Sequence, residues 1–312
     1  MEFYGDAPFQ AENVSKTFVE RDWRGRRRSV QAVRELSLAL EPGEAFGLIG
    51  PNGAGKSTTI KMLMGLVRPS QGSMQLNGRP VTDHRARRGV GFLPEHPSLY
   101  PQLSARELVS GAARMQGLGR KEAAGGAERL LGELGLGEVA RTPVGKFSKG
   151  MLQRAAIAHA LAGRPNVLVV DEPLSGLDPI WRTHVVERLM AFRDAGGTVL
   201  LSSHILADVE RLADRIGILH QGRLRAVTTP ADLIGRYVAT YVVRTRGSRV
   251  PDNPTAHREG PEQWSLELAE ADLWPALEEL RGLAHQIVEV RPAGAGLEGA
   301  LMQFLQEEAD PA

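Results

Sequence analysis

One segment, Gly-Pro-Asn-Gly-Ala-Gly-Lys-Ser at residues 50–57, limits the possible folds more than any other. It matches the phosphate-binding loop, in which a glycine and four residues precede Gly-Lys-Ser or Gly-Lys-Thr. That loop lies between a buried strand and a helix, and the sequence provides both: an apolar run at 45–49 and a predicted helix from Ser57 to Leu66. A glycine-rich turn that matches by chance would lack this context. The sequence therefore predicts an α/β fold with a site for nucleotide phosphates.

Each residue type in this loop has a function in phosphate binding. Glycines let the backbone curl so that successive N–H groups point inward at a helix N-terminus. The Lys56 ammonium would contact the terminal phosphates, the Ser57 hydroxyl would bind Mg²⁺, and Thr58 would donate to the α-phosphate. The predicted nucleotide-binding residues of the loop are Gly50, Pro51, Asn52, Gly53, Ala54, Gly55, Lys56, Ser57 and Thr58.

The composition is that of an ordinary globular protein, with 42% hydrophobic and 24% charged residues. The net charge is +1, and nucleic-acid binders usually have a larger basic excess, so no nucleic-acid partner is expected. There are no cysteines, which excludes disulfides and thiol catalysis and fits a reducing cytoplasm. No apolar run reaches the ~18 residues that span a bilayer, and the N-terminal residues lack a signal-peptide pattern. We therefore expect any membrane function to depend on partners.

Hydrophobic periodicity divides the chain into two predicted domains, residues 1–236 and 237–312. In the first, short apolar strands alternate with helices, as in a parallel sheet with helices on its faces. A predicted helical subdomain at about 96–165 is inserted into it, where Ser104 and Glu107 form a capping box.

The C-terminal domain is predicted to be small and α+β. Its polar segment 246–263 has no periodicity and is predicted to be a loop. Alternating hydrophobicity predicts two strands, at 237–243 and 264–268. Apolar residues at helical spacing predict two helices, at 273–284 and 297–304.

Two acidic residues follow the apolar run Val167–Val170, which predicts a central parallel strand buried on both faces. Asp171 at the strand's end suits Mg²⁺ binding through water, together with Ser57 and phosphate oxygens. Glu172 would then polarise the attacking water as a general base. An Asp-Glu pair alone is also common in an acidic turn, but here it accompanies a phosphate-binding loop.

The order and spacing of Lys56, Asp171, Leu174-Ser-Gly-Leu-Asp178 and Ser202-Ser-His204 resemble those of ABC-transporter ATPase subunits over residues 10–226. The resemblance implies the ABC-ATPase fold of P-loop NTPases, with an antiparallel β subdomain and an inserted helical subdomain. It also implies that Asp178 reaches across a dimer interface and that His204 contacts the γ-phosphate. Without the resemblance, His204 would more simply be a helix-capping or buried structural histidine.

The family's signature segment corresponds to Phe147-Ser-Lys-Gly-Met151, where most members have Leu-Ser-Gly-Gly-Gln. Ser148 and Gly150, the positions that face phosphate, match, and the helix that begins there presents its positive end to an anion. The variant resembles exporter-type ATPases of bacteria. Without the family resemblance, Ser148 is simply a helix cap. That interpretation is compatible with a role in phosphate binding.

A second departure is Glu95, in Gly91-Phe-Leu-Pro-Glu95, where the family usually has glutamine. In the family, the glutamine at this position binds Mg²⁺ and senses the water near the γ-phosphate. A carboxylate can still bind the metal, but it lacks an amide donor and its charge opposes the phosphate. A plain acidic loop residue is the alternative.

Adenine is expected to stack on Phe18, which occupies the family's aromatic position in the first strand region. Phe18 as an ordinary core residue is the alternative, and Trp23 is the second candidate for stacking. Residues 21–28 contain five arginines and one aspartate. They read most simply as a solvated hairpin tip, and alternatively as a contact for acidic lipids or a membrane partner.

The resemblance implies a head-to-tail dimer in which each ATP lies between Lys56 of one copy and Ser148 of the other. We predict an ATPase that uses ATP and Mg²⁺, and that drives a drug, lipid or polysaccharide exporter. Its partners would be a second copy and a polytopic membrane subunit, at the cytoplasmic face of the inner membrane. A regulatory or dimer-stabilising role is a hypothesis for residues 237–312.

Other functions remain open at this point. An importer ATPase is possible, as is an ABC ATPase that does not transport. Ribosome-acting relatives carry two cassettes in one chain and repair relatives carry long coiled coils or zinc modules, features that this sequence lacks. A small P-loop kinase or GTPase does not explain Ser148, Gly150, Asp178 and His204 together.

Overall fold

A computed structural model describes residues 7–21, 27–237, 240–293 and 296–309. The chain divides into two compact units, residues 1–228 and 229–312. The boundary thus differs from the predicted one after residue 236. The reason is the helix Pro230–Tyr237, which packs against the last helix of the chain and belongs to the second unit.

The first unit contains a mixed set of strands and helices. Its strands are β1 (Phe9–Arg21), β2 (Arg27–Leu40), β3 (Ala45–Ile49), β4 (Gln71–Leu76), β5 (Arg79–Pro80), β6 (Val90–Leu93), β7 (Val167–Asp171), β8 (Thr198–Ser202), β9 (Arg215–His220) and β10 (Arg223–Thr228). Its helices are α1 (Lys56–Leu63), α2 (Ala105–Met115), α3 (Arg120–Glu133), α4 (Lys149–Leu161), α5 (Pro179–Asp194) and α6 (Leu206–Leu212).

The central sheet has the strand order β10-β9-β3-β8-β7-β6. Strands β9, β3, β8, β7 and β6 run parallel, and β10 adds an antiparallel edge. Every residue of β3, β7 and β8 is buried, as in parallel sheets whose two faces are both covered. The prediction of a buried central strand at Val167–Val170 is confirmed. The carboxyl ends of β3, β7 and β8 therefore meet along one edge, where ligands bind in such sheets.

A second sheet, with the order β2-β1-β4-β5, is antiparallel throughout. Its buried residues, including Phe9, Leu36 and Leu76, belong to the same apolar cluster as Phe46 of β3 and Leu63 of α1. The antiparallel sheet and the phosphate-loop helix thus share one core with the parallel sheet, which fixes the loop between them.

Helices α2, α3 and α4 occupy the stretch predicted to be helical. The Ser104–Glu107 capping box is present, with both reciprocal hydrogen bonds formed at the start of α2. Helix α1 is shorter than predicted and ends at Leu63, because Gly65 at φ 68° adopts a left-handed conformation that stops it.

The second unit contains α7 (Pro230–Tyr237), β11 (Thr240–Arg246), β12 (His257–Gly260), β13 (Gln263–Ala269), α8 (Glu270–Gly282), β14 (Gln286–Pro292) and α9 (Leu297–Ala309). Its sheet has the order β12-β13-β11-β14, and α8 packs on one face through Leu273, Ala276 and Leu280. The sequence prediction missed α7 and β14 and placed β12 within a loop. It also began the first strand at Tyr237, which is the last residue of α7.

In the ranges that the structure describes, no helix combines the length and apolarity needed to cross a bilayer.

Candidate nucleotide site

The phosphate loop joins the end of β3 to the start of α1. Gly50, Gly53 and Gly55 have φ values of 143°, 79° and 109°, which side chains disfavour. A Cβ on Gly50 would lie 2.0 Å from the Leu219 carbonyl oxygen, and one on Gly55 would lie 2.5 Å from the Ala32 carbonyl oxygen. These two glycines are therefore required by close backbone contacts as well as by conformation.

Neighbouring strands hold the loop from outside. The Gly222 N–H, in the turn between β9 and β10, donates to the Ala54 carbonyl at 3.0 Å. The Arg34 N–H of β2 in turn donates to the Gly222 carbonyl at 2.7 Å. The loop is thus part of a continuous hydrogen-bonded path through both sheets.

Lys56, the first residue of α1, folds its side chain back over the loop. Its Nζ donates to the carbonyls of Gly50 at 2.6 Å and Pro51 at 3.1 Å. Burial lowers the pKa of this ammonium, while the carboxylates of Glu172, Asp171 and Glu95 act in the opposite direction. A cation that is partly desolvated at the mouth of a loop of backbone amides suits an anionic phosphate ligand.

Asp171, the last residue of β7, and Ser57, in the first turn of α1, lie next to each other. The Ser57 hydroxyl is 3.5 Å from Asp171 Oδ1, and the Ser202 hydroxyl donates to the same carboxylate oxygen. One hydroxyl and one carboxylate are hard oxygen ligands, and Mg²⁺ commonly takes its other ligands from water and phosphate. The pair therefore fits the predicted magnesium site.

Glu172 lies directly after β7, and its backbone has a φ of 53°, a left-handed conformation that is costly for a glutamate. Its N–H donates to the Ser202 carbonyl at 3.0 Å, which stabilises that conformation. Its carboxylate oxygen Oε2 is 2.6 Å from His204 Nδ1. Burial raises the pKa of Glu172, and His204 acts in the opposite direction. A partly buried carboxylate with a raised pKa beside an imidazole is an arrangement typical of general bases.

Gln153 of α4 is a site residue that the sequence prediction missed. Its buried amide donates to the carbonyls of Pro173 at 2.9 Å and Glu172 at 3.4 Å. The helix that carries the signature segment is thereby joined to the turn that carries Glu172. A buried glutamine on an alanine-rich helix face was the only signal available.

The signature segment leads into α4, and Ser148 caps that helix by accepting the Met151 N–H at 3.3 Å. A Cβ on Gly150 would lie 3.3 Å from the Gly176 carbonyl oxygen, so the signature turn lies against the segment that ends at Asp178. Asp178 in turn caps α5, where its carboxylate accepts the Trp181 N–H at 3.0 Å. The helix-cap interpretation of Ser148 is confirmed, and Asp178 has a capping function within its own chain as well.

Glu95 and Phe18 are both accessible to solvent. Glu95 lies close enough to influence the pKa of Lys56, and its own side chain is half exposed. Phe18 of β1 is 37% exposed, with Lys16 Nζ 5.0 Å from the ring centroid, so the alternative that it is a core residue is wrong. Trp23 and residues 22–26 of the arginine-rich segment lie outside the described residues.

Comparison with known proteins identifies the family. The ABC transporter family profile matches residues 33–175. The linearmycin resistance ATP-binding protein LnrL of Bacillus subtilis is 39% identical over 237 residues, which cover 75% of this chain and 73% of the relative. The chain belongs to the ABC transporter ATP-binding family. It is thus an ABC ATPase, as the motifs implied.

Two further relatives of this ABC ATPase have similar levels of identity. An uncharacterised ABC transporter ATP-binding protein of Synechocystis is 37% identical over 75% of this chain, and the chain spans 66% of that relative's length. A Nod factor export ATP-binding protein of Burkholderia thailandensis is 38% identical over 77% of each chain.

Solved structures agree on the fold. An ATP-binding subunit of an ABC transporter matches with a TM-score of 0.65 and 34% identity, covering 73% of this chain and 92% of the solved one. A dimeric ATP-binding cassette in a post-hydrolysis state with ADP and Pi matches with a TM-score of 0.65 and 24% identity, over 71% and 98%. The ABC-ATPase fold is therefore confirmed.

Proposed function

We propose that this ABC ATPase is the motor subunit of a membrane exporter whose cargo is a drug, a lipid or a polysaccharide. Two relatives at 38–39% identity are named for Nod factor export and for linearmycin resistance, and both names fit export. The Ser-Lys-Gly-Met signature and Glu95 also support the exporter branch of the family. Importer and non-transport functions are outcomes that the experiment below distinguishes.

The contact between Glu172 and His204, next to the Lys56 loop, carries the proposal. Lys56 and the loop amides would bind the β- and γ-phosphates, and Thr58 the α-phosphate. Mg²⁺, when bound, would neutralise developing charge on the phosphates, and Ser57, Asp171 and Glu95 are the residues that would hold it. Glu172 would accept a proton from the attacking water, while His204 orients the carboxylate and contacts the γ-phosphate.

A second copy of the chain completes the proposed site. Ser148 and Gly150 of one copy would contact the γ-phosphate held by Lys56 of the other, and Asp178 would reach across the interface. The N-terminus of α4 provides a positive dipole for that phosphate. The fold likeness to dimeric cassettes supports this assembly.

The membrane-spanning part of the exporter would belong to a separate polytopic subunit. The segment around Glu95 and helices α2 and α3 would pass the closing motion to that subunit at the cytoplasmic face of the inner membrane. Adenine would stack on the exposed ring of Phe18. Because every base has a π-face, such stacking binds any base and gives little selectivity.

Reconstitution tests the proposal. The ATPase is purified with the multi-span protein that cofractionates with it and placed in inside-out vesicles. We expect ATP-dependent accumulation of lipid or drug cargo in the lumen and stimulation of ATP turnover by that cargo. ATP-dependent loss of cargo from the lumen would indicate an importer. Absence of any cofractionating multi-span protein would indicate a non-transport ATPase.

A further inference from the structure

Three segments of the first unit meet at one buried guanidinium. They are the C-terminal end of α3 at Leu134 and Gly135, the signature helix α4, which provides Arg154, and the first turn of α5, which provides Trp181. Helix α3 belongs to the predicted helical subdomain, and α5 begins at Asp178. The contacts of Arg154 therefore join the two segments proposed to act on the partner's ATP to the subdomain proposed to move.

Arg154 is 9% exposed, and its hydrogen bonds all go to backbone carbonyls. Nη1 donates to Leu134 at 2.8 Å and to Gly135 at 3.4 Å, and Nε donates to Gly150 at 3.4 Å. The first two of these carbonyls end α3, where unpaired acceptors need donors. One side chain thus ends α3 and supports the turn of α4 that follows Ser148.

Trp181 lies over this guanidinium, with 4.0 Å between the Arg154 Cζ atom and the ring centroid. Such a cation–π contact is attractive, and it is stronger where water is excluded. The edge of the indole lies against Gly135, where a Cβ would come within 2.2 Å of it. The ring is therefore fixed on one face by Arg154 and at its edge by Gly135.

The Trp181 backbone is also fixed, because its N–H is the donor that the Asp178 carboxylate accepts at 3.0 Å. Trp181 therefore contributes its ring to the contact with Arg154 and its N–H to the Asp178 cap. A second contact runs beside the stack, where the Lys149 stem lies over Gly176.

We infer that the Arg154–Trp181 stack on Gly135 is a positioning device that sets Ser148 and Asp178 in a fixed mutual orientation for the second ATP-bound copy. This inference rests on the proposed dimeric function. The contacts of Arg154 and Trp181 described above do not include the phosphate loop that is proposed to bind the chain's own ATP. A positioning role therefore predicts a defect in dimer closure and turnover, and no defect in the first ATP-binding step.

Trp181→Leu tests the inference, because it removes the ring and keeps the N–H donor. We expect the Kd of the monomer for ATP to remain unchanged. ATP-dependent dimerisation, measured by sedimentation in the Glu172→Gln background, should weaken roughly tenfold, the size expected for loss of a largely desolvated cation–π contact. The turnover number kcat, measured with the native Glu172, should fall in parallel.

Conservative variants and a matched control separate positioning from general damage. Trp181→Phe keeps a ring face for the guanidinium and should restore most of the turnover, whereas Arg154→Lys loses the planar fork and should not. Leu66→Ala truncates an apolar side chain that is 65% exposed in the first unit and should change nothing. If Trp181→Leu does not fold, Trp181→Phe and Arg154→Lys provide the same comparison.

Two results would overturn the inference. One is wild-type dimerisation and kcat in Trp181→Leu. The other is a rise in the ATP Kd of the monomer that matches the loss of turnover. A wild-type protein that neither dimerises with ATP nor hydrolyses it would instead contradict the proposed function.

Discussion

His204 Nδ1 lies 2.6 Å from Glu172 Oε2, so the proposed base is held by an imidazole within the single chain. The Glu172 backbone adopts a left-handed conformation at φ 53°, and it is bonded to Ser202 on one side and to Gln153 on the other. The orientation of the carboxylate is therefore determined by the fold before ATP binds. This pair leads to the first two predictions.

Replacing Glu172 with Gln should stop turnover and leave ATP binding intact. The amide is nearly isosteric but cannot accept the proton, and loss of a general base costs about 10²- to 10⁴-fold in rate. We expect the variant to accumulate with ATP as a closed dimer in size-exclusion chromatography. Glu138→Gln, at an exposed position, is the control. Wild-type turnover in Glu172→Gln would remove Glu172 from the role of base.

The pH dependence of kcat should report on the same pair. Burial raises the pKa of Glu172 above its ordinary value of 4.5, and His204 acts in the opposite direction. Only the ionised carboxylate accepts a proton, so kcat should fall with decreasing pH at a higher pH than for an exposed glutamate. In His204→Ala the opposing influence is lost and the pKa rises further, so the acidic limb of residual kcat should move to higher pH. A limb that stays in place, or moves to lower pH, would contradict the assignment.

Phe18→Ala should weaken ATP binding without weakening the fold. Stacking of a base on an aromatic ring contributes about 1–3 kcal/mol, so KM for ATP should rise roughly 5- to 150-fold. The ring is 37% exposed, so little change in melting temperature is expected. Val19→Ala, at the adjacent and more exposed position, is the matched control. An unchanged KM in Phe18→Ala would rule out Phe18 as the adenine platform.

Glu95→Gln introduces the residue that the family usually has at this position. It removes a carboxylate that influences Lys56 and that would oppose the γ-phosphate. Because the side chain is half exposed, the effect should be small: KM for ATP should fall roughly two- to fivefold, as for an exposed charge pair. The measurement is KM at saturating Mg²⁺, since the carboxylate is also a proposed metal ligand. A rise in KM under these conditions would mean that the charge of Glu95 assists binding.

Gly50→Ala and Gly53→Ala separate steric conflict from backbone strain in the phosphate loop. The new methyl group at Gly50 would lie 2.0 Å from a backbone oxygen, whereas nothing lies within 4 Å of one at Gly53. We expect Gly50→Ala to cost about 3 kcal/mol of unfolding free energy or more, and Gly53→Ala only about 1 kcal/mol from its positive φ. Thermal and denaturant unfolding measure both. Equal losses in the two variants would contradict this difference.

The sequence alone predicted the parallel sheet and the residues around the phosphate loop. These features depend on local patterns. In one pattern an apolar run precedes a glycine-rich turn, and in the other an apolar run precedes two acidic residues. The contacts of Gln153, Arg154 and Trp181 were not predicted, because each joins segments that are distant in the sequence. No spacing rule links Trp181 to Gly135, although their contact leaves no room for a side chain on that glycine.

The errors in the second unit have a similar cause. Strand β14 exposes Ile287, Val288 and Val290 at the edge of its sheet, so its burial does not alternate in the way that the prediction required. Helix α7 is short, and its packing on α9 becomes visible only in three dimensions. Edge strands and short helices depend on tertiary contacts that periodicity does not contain.

The hydrogen bonds from Gly222 to Ala54 and from Arg34 to Gly222 have a kinetic consequence. They restrict the phosphate loop while the chain folds, so the loop loses its conformational entropy before any ligand arrives. Binding of the phosphates then requires little reorganisation of the backbone, and encounter with the nucleotide rather than ordering of the loop should limit the association rate.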